Sequence, residues 1–274
     1  MRAVVTHIAA AALLAVGAPT ASALQSPLMP ATNMPAIDVS RLELTDVPWA
    51  VGERFEYDVA YGKIRAGRGV MEVRSIEQVR GRPAYHIFFE VRGGVPFFRV
   101  HDVFQSWIDT TTLSSLRFVQ DQDEGPKERQ RRYEIYPERR VYTELVRGEG
   151  KEEPSVSNPL DDGSMLYFIR TVPLEVGKTY TFNNYFRPDR NPVTLRVVRR
   201  ERIRVPAGEF DAIVVQPTIK AGGMFGEDGR AEVWLSDDDQ RMMLQMKSKM
   251  GIASFSLFLR SHRRGGVDDG SAAR

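Results

Sequence analysis

Side-chain polarity in this chain alternates with a period of two, and the alternation restarts many times between turn residues. Phe55, Tyr57, Val59 and Tyr61 share one side of an extended segment, with Arg54, Glu56, Asp58 and Ala60 on the other. That spacing belongs to a half-buried β-strand, because successive side chains of a strand point to opposite faces. Further strands are predicted at 70–76, 85–91, 98–108, 115–121, 129–136, 140–147, 179–186, 193–205, 212–219, 231–236, 241–250 and 252–262. Glycine and proline mark the breaks: the stretch 62–69, Gly81-Arg82-Pro83, and Gly93-Gly94-Val95-Pro96. Strands that follow one another this way pair antiparallel, since βαβ units would need a helical period between them. Residues 98–108 are apolar on both sides, with Val100 and Phe104 on one and Val103 and Trp107 on the other, which marks a central strand covered twice.

One segment has a helical period. Met165, Leu166, Phe168 and Ile169 fall at i, i+1, i+3 and i+4, Asp161 or Asp162 can cap the opening amides, and Pro173 ends the element. The expectation is an all-β, mainly antiparallel fold: a single curled sheet, barrel or β-spiral, with one short helix plugging or covering an open side. Pro206-Ala207-Gly208 predicts a tight hairpin with Phe210 closing the core, and Trp234 to Asp238 a strand ending in an acidic turn.

Met1-Arg2, the apolar run from Ile8 to Val16 and the triplet Ala21-Ser22-Ala23 read as a cleavable secretory signal, with Leu24 the expected mature start. The apolar run is too short to span a bilayer, and no later stretch is long enough either. Export sets the compartment: periplasmic or secreted. Within it, a chain with no cysteine has no disulfide framework and must rest on an ordinary core. No cysteine follows the cleavage site to carry a lipid, so no lipid anchor is expected. With 38 Lys+Arg against 36 Asp+Glu, charge gives no pull toward nucleic acid. The expected layout is a signal peptide at 1–23, a flexible proline-rich leader at 24–48, one β-rich domain at 49–264 and a disordered tail at 265–274.

Signs of chemistry are sparse. His101 precedes Asp102, but neighbours on a strand face opposite ways and cannot pair. No spaced histidine pair or thiolate suggests zinc, no nucleophile motif is present, and no cofactor is called for. Asp161-Asp162 and Asp237-Asp238-Asp239 read as a helix cap and a turn rather than as a glycosidase pair or a Ca²⁺ loop. The arginines between Lys127 and Arg140 could hold phosphate or a polyanionic glycan by bidentate contacts, but the glutamates among them favour a solvated hairpin with cross-strand ion pairs.

Several stretches together resemble the bacterial envelope family known as domain of unknown function 3108. They are Gly52-Glu53-Arg54-Phe55-Glu56-Tyr57 with Tyr61-Gly62 and Ala66-Gly67; Ser164 to Arg170 with Pro173-Leu174 and Gly177; Val205 to Phe210; and Trp234 to Asp238. The resemblance implies an exported, β-rich, single-domain protein of barrel-like or spiral form, with no established reaction and no catalytic residue.

The strand 241–250 carries Met242, Leu244, Met246 and Met250 at alternate positions. Methionines adapt to irregular guests, so this face reads either as core or as the lining of an apolar pocket. Gly222-Gly223-Met224-Phe225-Gly226 reads as a rim with two apolar side chains at its tip. Phe104, Trp107, Arg170, Met224, Phe225 and Trp234 are therefore the candidate lining, gate or rim residues. The leading expectation is a non-enzymatic, soluble periplasmic protein supporting the cell envelope, which binds an apolar or amphipathic component, such as a lipid, or an envelope protein partner. Two alternatives stand beside it: a hydrolase or transferase acting on envelope glycans through Asp102, Asp161 and Asp162, and a scaffold that joins a complex by strand addition.

Overall fold

The alternating runs pair with their sequence neighbours into one curled sheet. The structure, a computed structural model, describes residues 37–38, 47–95, 98–146, 150–220, 231–250 and 253–266. The signal segment, most of the leader, Met224, Phe225 and the tail from residue 267 lie outside the described residues. The strands are β1 (Ile37–Asp38), β2 (Arg54–Tyr61), β3 (Ile64–Val79), β4 (Arg82–Val95), β5 (Phe98–Asp109), β6 (Ser115–Glu124), β7 (Lys127–Tyr136), β8 (Val141–Glu144) and β9 (Glu152–Pro154). After helix α1 (Asp162–Phe168) come β10 (Thr179–Phe182), β11 (Val193–Val205), β12 (Gly208–Ile219), β13 (Glu232–Ser236), β14 (Met243–Met250) and β15 (Ala253–Arg263).

The order across the sheet is β1-β10-β11-β12-β13-β14-β15-β2-β3-β4-β5-β6-β7-β8-β9, antiparallel at every step except β1 on β10. The all-β reading with one short helix is therefore correct. The sheet does not close, because β1 and β9 end the order. Its edges are very short strands, a common protection against unwanted pairing. They are drawn together by Leu160, which bridges to Tyr185, and by Phe186 packing on Tyr133 and Tyr142 at 5.1 Å between ring centres.

Two glycine clusters expected as turns belong to strands. The β2–β3 turn is only Gly62-Lys63, with Tyr61 directly opposite Ile64, and Gly67 pairs with Gly93 inside the β3–β4 ladder. A Cβ on Gly67 would lie 2.6 Å from the Gly93 Cα and overlap the Arg92 carbonyl, so these glycines serve close approach of two backbones. Pro206-Ala207 makes the expected tight turn, with Val205 opposite Gly208 and Phe210 packed against the core. In the acidic turn, Asp238 Oδ1 accepts from the Ser236 hydroxyl and from the amides of Gln240 and Arg241.

The inward faces form one hydrophobic core. Phe55, Tyr57, Met71, Ile87, Ile108, Phe118 and Phe182 are essentially inaccessible to water, each contributing about 1.5–3 kcal/mol by burial. Met242, Met243, Leu244 and Met246 are buried in that same core, so the described part of the methionine stripe is core and not lining.

Candidate functional site

Helix α1 divides the concave face of the sheet into a covered half and an open half. Its N-cap is Asp161, whose Oδ1 accepts from the amides of Gly163 and Ser164 at 2.8 and 2.9 Å. Oδ2 accepts from the hydroxyls of Ser106 at 2.6 Å and of Ser115. Burial pushes this carboxyl up to about 6, against the pull of the hydrogen bonds it accepts. Ser106 lies on β5 and Ser115 on β6, so the cap ties the helix to the sheet. Gly163 permits the contact, since a Cβ there would stand 3.2 Å from that of Ser106.

Beyond Ser106 the same face of β5 continues as Phe104, Asp102 and Val100. Register places two rows across the concave side here: Phe89, Phe104, Gln120 and Arg131 in one, and Val91, Asp102, Gln122 and Arg129 in the next. Phe104 stacks with Phe118 at 6.4 Å, and Phe118 with Tyr133 at 6.1 Å, giving an aromatic floor that crosses three strands. Phe118 and Tyr133 are buried, whereas Phe89 and Phe104 are only partly covered. Above the floor stands a polar rank. Gln120 Nε2 donates to Gln122 Oε1 at 2.8 Å, and Gln122 bonds the Asp102 carboxyl. Arg131 donates weakly to the Tyr133 hydroxyl at 3.3 Å. Two atoms of this rank, Asp102 Oδ1 and Arg131 Nε, are shielded from water without a hydrogen-bond partner. Native proteins rarely leave such atoms unpaired, and each asks for a partner.

Burial, reinforced by the nearby Glu124, raises the Asp102 carboxyl from 3.8 to about 7, with Gln122, the Asp123 amide and His101 acting in the opposite direction. The folded chain thus binds a proton here that the unfolded chain has released above about pH 4. Stability from this group is full below pH 4 and is lost as pH rises toward and through about 7. Asp102→Asn removes the penalty. It is expected to leave stability near pH 4 unchanged and to raise it above pH 8. A shift from 3.8 to about 7 corresponds to at most ~4 kcal/mol, and partial exposure cuts that to roughly 1–2 kcal/mol. Thermal unfolding of both proteins across pH checks this; a constant offset at every pH would remove Asp102 as the cause.

Of the described candidate lining residues Phe104 stands in this open half, beside Asp102 of the glycan-hydrolase alternative. Trp107 is on the opposite face, stacked on His86 at 4.5 Å and donating to Glu77 at 2.7 Å. Trp234 is buried and donates to Glu201 at 2.6 Å. Arg170 is buried at the other end of α1, paired with Glu53. His101 and Asp102 do point apart, His101 reaching Glu90 on the convex side at 2.9 Å. The basic hairpin carries the expected kind of ion pair: Glu134 of β7 meets Arg117 of β6 and Arg80, and Arg139 meets Glu152. Gln120 and Gln122 were not distinguished by the sequence, and Arg131 only as one arginine of the basic hairpin, because only register puts them beside Phe104. A separate cleft between α1 and strands β10 to β12, lined by Leu166, Ile169, Phe182, Leu195 and Ile219, is almost wholly apolar and offers little to orient a ligand. Among the described residues no cluster of His, Asp or Glu is arranged to hold a metal ion, and no helix is long and apolar enough to cross a membrane.

Comparison with known proteins places these features in context. The family described as "Protein of unknown function (DUF3108)" matches residues 56–260. No curated protein matches the chain. Among solved structures, a beta-barrel-like protein of domain of unknown function DUF1849 from Brucella abortus aligns with a TM-score of 0.51 at 14% identity, covering 80% of this chain and 99% of that one. That likeness concerns the fold alone. A Bacteroides fragilis protein described as exported, with a YmcC-like fold, aligns at a TM-score of 0.29 and 11% identity over 80% of this chain and 98% of its own.

Proposed function

The chain belongs to the DUF3108 family, and from that premise we propose that it is a non-enzymatic, exported protein of the cell envelope that holds an amphipathic envelope component in the open half of its concave sheet face. The observation that carries this reading is the juxtaposition of the partly covered Phe89 and Phe104 with a polar rank containing two unpaired buried atoms. An apolar surface with a few convergent polar groups is the usual make-up of a small-molecule site. The secretory signal read from residues 1–23 supplies the compartment, and the placement of the domain at 49–264 belongs to the same proposal.

Carboxylate spacing favours binding over glycan hydrolysis. Asp161 sits at Ser106, while Asp102 is four residues along the same strand, about 13 Å away at 3.3 Å per residue; glycosidase pairs stand roughly 5–9.5 Å apart. Asp162 is engaged by the Tyr185 hydroxyl at 2.7 Å. Strand addition is disfavoured by the edges, since β9 has three residues and ends in Pro154.

Native mass spectrometry of the mature protein, purified gently from the periplasm and followed by organic extraction, tests the proposal. A discrete extra mass is expected, and Phe104→Ala is expected to reduce its occupancy about tenfold while the circular dichroism spectrum is kept. A bare protein mass under repeated mild conditions would sink the carrier reading.

A further inference from the structure

Resting on the carrier reading, we infer that the polar part of the ligand is an uncharged saccharide ring, lying on Phe104 and hydrogen-bonded by Asp102, Gln122, Gln120 and Arg131. The argument comes from what the rank lacks. Asp102 Oδ1 and Arg131 Nε are both buried and both unpaired. The guanidinium nitrogen requires an acceptor, and the carboxylate, once ionised, requires a donor.

An anionic headgroup would serve Arg131 but would stand against Asp102 and Glu124. An ammonium would serve Asp102 but would face Arg131 and Arg129. Groups of both signs stand on this face, so a charged head of either kind meets a like charge beside its partner. Hydroxyls spread around one ring meet both needs, since one can donate to Oδ1 while another accepts from Nε. The partly covered face of Phe104 supplies a flat apolar surface for the C–H side of the ring, and Phe89 extends it toward an attached alkyl chain. Near neutral pH Asp102 is shared between its two protonation states, and a hydroxyl serves either one by donating or accepting.

Isothermal titration of the mature protein near neutral pH, with each amphiphile below its micellar concentration, tests the assignment. The probes are octyl glucoside, octyl phosphate and octyl trimethylammonium, which share a tail and differ in the head. Octyl glucoside is expected to bind at least about tenfold more tightly than either charged probe. Arg131→Met and Gln120→Leu are each expected to weaken it about tenfold. Should Arg131→Met fail to fold, Gln120→Leu, a partly exposed position, carries the comparison. Tighter binding of octyl phosphate or octyl trimethylammonium, or glucoside binding that ignores both substitutions, overturns the saccharide assignment while leaving an amphiphile carrier in place. Binding of none of the three, together with a bare mass in the native spectrum, overturns both.

Discussion

Arg170→Met lowers the unfolding free energy by about 3–5 kcal/mol, the loss typical of a buried ion pair stripped of one partner. The side chain of Arg170 is fully buried and that of Glu53 nearly so. Nη1 and Nη2 reach the two Glu53 oxygens at 2.7 and 2.9 Å, a bidentate contact. Nη2 also donates to the carbonyls of Pro48 at 3.2 Å and Gln240 at 3.0 Å, while Trp49, Phe55 and Tyr167 surround the guanidinium at 5.3 to 5.5 Å. Removing the arginine leaves a carboxylate stranded in an apolar cage and two carbonyls without donors. The double variant Arg170→Met/Glu53→Met removes the stranded charge and is expected to recover about 2 kcal/mol or more. Urea unfolding of the three proteins measures both numbers. A single-variant loss under about 1 kcal/mol, the value of an exposed pair, would mean that the pair is not sealed from water. Its role is to join the entry to β2, the end of α1 and the β13–β14 turn into one closed end opposite the open half.

Asp161→Ala is expected to cost about 2–4 kcal/mol, more than an ordinary cap. Loss of an N-cap side chain accounts for about 1 kcal/mol. The remainder comes from the hydroxyls of Ser106 and Ser115, buried at 1% and 0% exposure, which lose their acceptor. Asp161→Asn keeps an oxygen for the Gly163 and Ser164 amides, and its amide can donate to hydroxyls that rotate, so roughly half the loss or less is expected. At about 2–4 °C per kcal/mol for a domain of this size, thermal unfolding resolves the two variants. Equal effects of Ala and Asn would mean that the serines find other partners. Because the same serines anchor the helix to β5 and β6, Asp161→Ala should also loosen the boundary between the covered and open halves.

Why some of this was legible in the sequence and some was not follows from the range of each contact. Alternation is local, so Phe55 to Tyr61 declared a strand, and the capped run from Asp161 declared the helix. The glycines near 67 and 93 misled because a turn glycine and a close-approach glycine look alike until the partner strand is known. Phe104 stood out because its strand is apolar on both faces. Gln120 and Gln122 were hidden, and Arg131 was one of several hairpin arginines, because the sequence there, from Gln120 to Arg132, is polar on both faces and gives no hint of which one turns inward. Arg170 was named among the lining candidates, but its partner Glu53 is 117 residues away and no periodicity connects them, so its role as a buried ion pair was not legible.

The seam between β2 and β15, where Arg54 lies opposite Arg263 and Tyr61 opposite Phe255, governs when this protein can acquire its structure. A chain made from its N-terminus delivers β2 early and β15 last, yet the two are neighbours in the middle of the sheet. Strands β2 to β9 can pair in the order they emerge, but the far edge of β2 stays open until nearly all of the remaining chain has been made. Contacts so distant in sequence make folding slow, and an open strand edge during the wait invites pairing with other chains. The last strand therefore acts as a timing device: before it arrives the sheet has an unpaired edge at its middle, and a copy cut short before β15 is parted at its centre rather than trimmed at a margin.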